Sequence, residues 1–176
     1  MLGELTLPAI ASDPGDGFER LVDQHQQMVQ RVAYRLLGRT EDAQDATQEV
    51  FLRLFRNLGR VGADPKAWLY RVTVNVCNDH YRRRRVVVEL QAQSAKPEQD
   101  PAPDPERLLA LEERKRMLME GLELLPDRER AAVVLRDIEG LSTAEVAGIL
   151  GVEEVTVRSQ ASSGRLKLAK YVRSRK

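Results

Sequence analysis

Residues 142–171, near the end of the chain, have the sequence STAEVAGILGVEEVTVRSQASSGRLKLAKY, which contains the strongest structural pattern of the protein. Ser142 and Glu145 have the spacing of a capping box, in which a hydroxyl and a carboxylate satisfy free amides at a helix start. A short apolar helix follows as far as Gly151, which supplies a turn because glycine tolerates positive φ. A second helix begins just after it with two glutamates, whose carboxylates suit a helix N-terminus. This arrangement predicts a helix-turn-helix, a motif whose second helix enters the major groove of DNA.

The distribution of charge indicates a nucleic-acid partner for this second helix. Residues 155–176 contain seven basic side chains and no acidic one, whereas residues 108–154 contain six basic and eleven acidic side chains. A basic surface set apart in this way attracts a phosphate backbone. The alternative, a solvated basic helix on an ordinary bundle, leaves the coincidence of capping box, turn glycine and charge change unexplained.

Composition limits the remaining possibilities. With 176 residues, of which 31% are charged and 5% aromatic, the chain can hold one domain or two small helical ones. Cys77 is the only cysteine, so no internal disulfide is possible, and we expect a cytoplasmic protein. The two histidines form no cluster with metal-ligand spacing, so no metal or cofactor is assigned. No apolar stretch is long enough to span a bilayer, and the N-terminus lacks the pattern of a signal peptide; no membrane insertion is expected.

Helical periodicity begins after a tail predicted at residues 1–17. Apolar side chains recur at the i, i+3, i+4 spacing of a buried stripe through residues 18–36, and Gly38 is a good C-cap. A second helix is predicted from Thr40, a good N-cap, to residue 58. A third is predicted from Asp64-Pro65 to residue 85. These helices predict a three-helix bundle over residues 18–85.

The remaining residues predict a linker and a second domain. Residues 86–104 are acidic and rich in proline, which breaks helices, so they predict a flexible linker. Residues 105–176 then predict a four-helix domain that contains the helix-turn-helix. The predicted fold class is therefore all-α, with a three-helix N-terminal bundle and a four-helix C-terminal domain joined by a flexible linker.

Three segments resemble bacterial extracytoplasmic-function (ECF) sigma factors. They are DAQDATQEVFLRLF at residues 42–55, WLYRVTVN at residues 68–75, and LPDRERAAVVLRDIEGLSTAEVAGILG at residues 125–151. The resemblance makes residues 18–85 similar to sigma region 2 and residues 105–176 similar to sigma region 4. It implies binding to core RNA polymerase and to promoter DNA, with an anti-sigma factor as a further partner.

The resemblance also implies roles for individual residues. The first domain would dock on the clamp coiled coil of polymerase with a helix that carries Asp42, Asp45, Gln48, Glu49, Leu52 and Phe55. The same domain would hold the melted minus-10 strand with Trp68, Arg71, Asn75, Tyr81, Arg82, Arg83 and Arg84, because aromatic faces stack on bases and arginines follow the backbone. The second domain would contact the minus-35 duplex with Thr156, Arg158, Ser159, Gln160 and Arg165.

The second helix of the motif departs from the family pattern at residues 160–164, which read QASSG. Members usually carry arginines and large apolar residues there. Serine and glycine have low helix propensity, and glycine costs about 1 kcal/mol relative to alanine. The sequence therefore predicts a helix that frays or bends near Gly164, with base contacts concentrated at its start.

Two alternatives belong to other functional classes. A helix-turn-helix regulator that binds operators would explain residues 142–171, but it gives no role to the two motifs of the first domain. An adaptor that binds polymerase or an anti-sigma protein but contacts DNA weakly would suit the unusual segment at residues 160–164. An enzyme is not expected, because no nucleophile–base set or phosphate-binding glycine loop is present.

Overall fold

The structure, a computed structural model, describes residues 14–62, 64–90 and 105–175. Within these ranges the chain forms seven α-helices and no strand, which confirms the all-α class. The helices are α1 (Pro14–Leu37), α2 (Thr40–Arg56), α3 (Pro65–Leu90), α4 (Pro105–Glu123), α5 (Asp127–Val133), α6 (Thr143–Leu150) and α7 (Glu154–Ser174). A 3-10 turn, Leu58–Arg60, follows α2, and a π-helical turn, Val134–Ile138, follows α5.

Helices α1, α2 and α3 pack on one another as the first domain. The stripe expected on α1 is buried from Met28 to Leu36 and partly buried before it, and the stripe of α2 is buried except for Phe51 and Leu58, which are partly buried. Gly38 ends α1 with φ of 77°, and the Ala67 amide donates to Asp64 Oδ1 at 3.0 Å, so both of these caps are confirmed. The prediction that Thr40 is the N-cap of α2 is wrong. Arg39 holds that position without a side-chain bond, and Thr40 is already helical.

The boundaries of the first domain differ from the expected ones. Helix α1 begins at Pro14, inside the expected tail, and α3 continues to Leu90, inside the expected linker. Residues 1–13 of the tail and residues 91–104 of the linker lie outside the described residues.

Helices α4 to α7 form the second domain, and the predicted helix-turn-helix is confirmed in α6 and α7. The Glu145 amide donates to Ser142 Oγ at 3.2 Å, while the Ser142 amide donates to Glu145 Oε2 at 2.7 Å. Gly151 adopts φ of 66° between the two helices. Val146 from α6 and Val157 from α7 are fully buried, and the two helices pack against each other.

The predicted fraying of α7 was wrong, because this helix continues without interruption through Gly164. Gly164 is buried against α5, and a Cβ at this position would lie 2.7 Å from Val133 Cγ2. Ala161, one turn earlier, is also fully buried. Small residues therefore occur here because α5 and α7 approach closely, and the burial they permit outweighs the low propensity of glycine.

The two domains pack against each other. Buried apolar side chains from both form one continuous cluster, in which Leu36 and Val74 belong to the first domain and Leu122 and Ile149 to the second. The interface places α3 against α6, and α1 against α4 and the π-helical turn.

Candidate nucleic-acid and partner interfaces

One face of α2 exposes large apolar side chains beside acidic and polar ones. Leu52 is 56% exposed and Phe55 is 62% exposed. Asp45 and Gln48 are also exposed. The Phe55 and Phe18 rings are in edge-to-face contact, with ring centroids 5.3 Å apart. Exposed apolar side chains rimmed by polar ones are typical of a protein-binding surface.

Two of the expected partner-binding residues on α2 are instead engaged within the domain. Glu49 Oε1 accepts a bond from Arg53 at 2.5 Å, and Glu49 Oε2 lies 3.0 Å from His80 Nε2. The hydrogen bond from His80 is the largest cause of a lowered pKa for the Glu49 carboxyl. Asp42 Oδ2 lies 3.5 Å from Arg84 Nη1. The free surface of α2 is therefore centred on Asp45, Gln48, Leu52 and Phe55.

The expected minus-10 residues on α3 face the second domain at two points. The Arg71 guanidinium donates to Gly148 O at 2.7 Å and to Ile149 O at 3.2 Å, both in the last turn of α6. The Tyr81 hydroxyl donates to Glu123 O at 3.1 Å. Trp68 is half-buried against the core, so its ring contributes packing as well as surface.

Of the remaining members of this set, only Asn75 lines the open cleft between the domains. Asn75 is exposed and lines this cleft of about 510 Å³ together with Asn78 and Arg128. Arg82 Nε is 3.9 Å from Asp127 Oδ2, and Arg83 is exposed. The set is thus divided: Arg71, Tyr81 and Arg82 lie against the second domain, whereas Arg84 lies against Asp42 of α2.

The expected minus-35 residues on α7 differ in their exposure and in their contacts. Ser159 is exposed, and Arg158 is exposed beside Glu154, 3.6 Å away. Thr156 is half-buried, and Arg165 lies 3.6 Å from Asp137. Gln160 is turned into the cleft between the domains, where its Oε1 is buried. The outward surface at the start of α7 therefore consists of Arg158 and Ser159, with Thr156 beside them.

Sequence reasoning missed the residues that join the domains. Arg130 is 3% exposed; its guanidinium lies 4.0 Å from the centroid of the Tyr81 ring and donates to Leu36 O at 2.9 Å. Glu139 pairs with Arg31 and Arg35 of α1. The spacing of Asp127 and Arg130 could have predicted their ion pair, since residues three apart share a helix face. Contacts between distant segments leave no such local signal.

Metal clusters and membrane-spanning helices are not found among the described residues. Within residues 14–62, 64–90 and 105–175, no three His, Cys, Asp or Glu side chains lie close enough to hold a metal ion. None of the described helices is both long and apolar enough to cross a membrane.

Comparison with known proteins identifies the family. Residues 21–86 match Sigma-70 region 2, and residues 115–168 match Sigma-70, region 4. The chain is 37% identical over 158 residues to the ECF RNA polymerase sigma factor SigM of Mycobacterium tuberculosis, covering 88% of this chain and 76% of SigM. The chain belongs to the ECF RNA polymerase sigma factors. Sigma factors bind core RNA polymerase and promoter DNA, and they direct transcription initiation.

Two further sigma factors extend the comparison. SigE of Mycolicibacterium smegmatis is 40% identical over 158 residues, which are 88% of this chain but 61% of SigE. The chain thus spans about three fifths of that relative's length. The structure of the sigma factor RpoE in complex with the anti-sigma factor NepR from Bartonella quintana has a TM-score of 0.70 and 21% identity, covering 89% of this chain and 96% of RpoE. This structural similarity shows that the chain and RpoE share a fold.

Proposed function

We propose that this ECF sigma factor docks on core RNA polymerase through the free surface of α2, contacts the melted minus-10 strand with α3, and contacts the minus-35 duplex with the start of α7. The observation that carries the proposal is the pairing of an exposed apolar surface on α2 with two separate polar, arginine-bearing surfaces on α3 and α7. One surface suits a protein partner, and the other two suit nucleic acid.

The α2 surface supports docking because its exposed side chains are costly to leave in water. Burying a side chain such as Leu52 or Phe55 is worth about 1.5–3 kcal/mol. Asp45 and Gln48 border these residues and would give polar specificity at the rim of an interface. A partner that presents basic and apolar side chains together would complement this surface.

The DNA surfaces support different roles. On α3, Asn75 offers an amide to a base edge, and Arg71 and Arg83 offer charge to the phosphates of a single strand. On α7, Arg158 and Ser159 project from the start of the second helix of a helix-turn-helix, the part of such a helix that contacts base edges. The role is non-catalytic, since the protein would supply only binding and orientation.

Two expectations follow from this role. An anti-sigma factor that covers the α2 surface would prevent docking, and we propose such a protein as a further partner. The chain would act in the cytoplasm, where polymerase and chromosome meet.

Run-off transcription with purified core polymerase tests the proposal. Addition of the chain should produce promoter-specific transcripts. Asp45→Lys should reduce core binding at least about tenfold, a loss that corresponds to about 1.4 kcal/mol. Stability should change by less than about 0.5 kcal/mol because Asp45 is exposed.

Asp23→Lys is the matched control, since it makes the same charge change at an exposed position of α1. It should leave core binding intact. Loss of binding in both variants, or in neither, would assign docking to another surface. DNA binding without any promoter-specific transcript would instead favour an operator-binding regulator.

A further inference from the structure

We propose that Val155 is a specificity-determining residue of the minus-35 contact, and that its methyl groups pack against the C5-methyl group of a thymine in the major groove. The inference rests on the proposed function for the position of α7 in that groove. It adds an apolar contact, and with it a base preference, to the polar contacts assigned to Arg158 and Ser159.

Val155 lies in the middle of the outward face at the start of α7. It belongs to the first turn of this helix. Arg158 and Ser159 follow three and four residues later, and side chains at these spacings are neighbours on one helix face. The opposite face of the same turns carries Val157 and Ala161, which are both fully buried. The three outward side chains therefore form one surface, at the end of the helix that contacts base edges.

The exposure of Val155 indicates that a ligand covers it. This apolar residue is 60% exposed, so the domain does not use it for core packing. Valine is also a poorer helix former than alanine or the long polar residues, so helix propensity does not favour it there. A partner that buries the methyl groups gives this residue a role that neither the core nor the helix provides.

The second turn of α7 offers few side chains to a base. Gln160 is turned into the cleft between the domains, and Ala161 is fully buried. The Ser163 hydroxyl donates to Glu129 Oε1 at 3.1 Å. Ser162 is exposed in this turn, but its side chain is small. Base specificity on this face therefore depends mainly on the residues that precede Gln160.

The charges around Val155 favour a base edge over a phosphate as its neighbour. Glu153 and Glu154 are both exposed at the N-terminus of α7. Their carboxylates lie at the positive end of the helix dipole, where a phosphate would otherwise bind, and they repel the DNA backbone. The Arg158 guanidinium lies 3.6 Å from Glu154 Oε2, which holds it beside the same turn. A base edge carries no net charge, so it approaches this turn at less cost than a phosphate.

Thymine is the base that complements an exposed apolar side chain. Its edge in the major groove presents a C5-methyl group, whereas the characteristic groups of the other three bases are hydrogen-bond donors and acceptors. Burial of one methyl group changes affinity about fourfold. We therefore expect a preference for thymine at one position of the minus-35 element, with a size set by this contact.

Selection from promoter duplexes randomised over the minus-35 element tests the preference. The protein is the holoenzyme assembled from core polymerase and the full chain. Wild type should select a thymine at one position that Val155→Ala does not select, and Val155→Ile should retain the preference because it keeps a branched apolar side chain. Leu166→Ala is the matched control, since it truncates an apolar residue of α7 that is 70% exposed but lies three turns further on. It should select the same bases as wild type.

Replacement of the selected thymine by deoxyuridine then removes the C5-methyl group alone. Wild-type holoenzyme should bind the deoxyuridine duplex about two- to fourfold more weakly than the thymine duplex. Val155→Ala should bind the two duplexes equally. An effect of deoxyuridine on the duplex itself would act on both proteins and cancels in this comparison.

Equal losses for wild type and Val155→Ala on the deoxyuridine duplex would overturn the contact, as would identical base preferences in the selection. Run-off transcription separates this result from failure of the proposed function. Promoter-specific transcripts from wild type, together with equal deoxyuridine losses, would refute the role of Val155 alone. Absence of such transcripts from wild type would refute both. Far-ultraviolet circular dichroism checks that Val155→Ala folds, as expected for a substitution at an exposed position.

Discussion

At the scale of single residues, hydrogen bonds decide which expected site residues are free. Glu49 and Asp45 lie one turn apart on α2, yet Glu49 is held by Arg53 and His80 while Asp45 is exposed. The charge pattern of the helix does not distinguish Glu49 from Asp45 as candidate binding residues. The partners of Glu49 come partly from α3, so its role as a structural carboxylate follows from helix packing.

The lowered pKa of Glu49 leads to a pH-dependent prediction. Because the folded state favours the ionised carboxyl, this group stabilises the fold above its ordinary pKa of 4.5, and the contribution is lost as pH falls through the lowered folded value. Urea unfolding should show Glu49→Gln less stable than wild type at pH 7. The difference should shrink as pH falls below about 4.5.

Asp45→Asn is the control for this experiment, because it removes an exposed carboxylate from the same helix. Its stability should follow that of wild type at each pH. A constant difference between Glu49→Gln and wild type across the acid range would contradict the account, since a shape effect does not titrate.

At the scale of elements, the contact between α5 and α7 fixes the position of the DNA-contacting helix. Lys167 Nζ and Ser163 Oγ lie 2.8 Å and 3.1 Å from Glu129 Oε1, which holds the middle of α7 against α5. The Ser163 side chain therefore faces α5. The absence of a basic residue there reflects this contact, and Arg158 at the start of α7 carries the outward charge.

Two glycine substitutions separate packing from helix propensity. Gly164→Ala should destabilise the protein by about 1–3 kcal/mol, because the new methyl would lie 2.7 Å from Val133 Cγ2. Gly148→Ala on α6 should stabilise it by up to about 1 kcal/mol, since no atom lies within 4 Å of the added methyl. Urea unfolding of both variants measures these changes. A gain in stability for Gly164→Ala would mean that α5 can move away at little cost.

At the scale of the whole molecule, the interface between domains determines which surfaces a ligand meets. The continuous apolar cluster and the crossing arginines join two units that the family matches describe separately, at residues 21–86 and 115–168. The Arg31–Glu139 ion pair is about half exposed on its arginine side and buried on its carboxylate side, so added salt should weaken this contact between the domains only partly. The apolar contacts do not share this dependence.

A substitution in the cleft should act differently in the free chain and in the holoenzyme. With polymerase bound, Asn75→Ala should weaken binding of the non-template minus-10 strand by about 1–3 kcal/mol. In the free chain the loss should be much smaller, since Asn75 faces the cleft between the domains. Asn78→Ala, which alters the same cleft, is the control and should retain strand affinity in the holoenzyme. Equal losses for Asn75→Ala in both states would contradict the expectation that the second domain limits access to this cleft.

The sequence alone determined those features that depend on neighbouring residues. Examples are the capping box of Ser142 and Glu145, the positive φ of Gly38 and Gly151, and the apolar stripes of α1 and α2. Each is set within a few residues along the chain, where spacing specifies geometry. The family resemblance, which rests on such local motifs, is confirmed for the same reason.

Features that depend on distant segments follow from the packing of the helices and cannot be read from local sequence. Gly164 lies in an unbroken helix because α5 approaches it, Glu49 is paired because α3 lies beside α2, and Arg71 binds the end of α6 because the domains close. In each case the deciding atom belongs to a residue far along the chain. Helix propensity and charge pattern contain no information about such partners, and burial energy gained from them outweighs local preference.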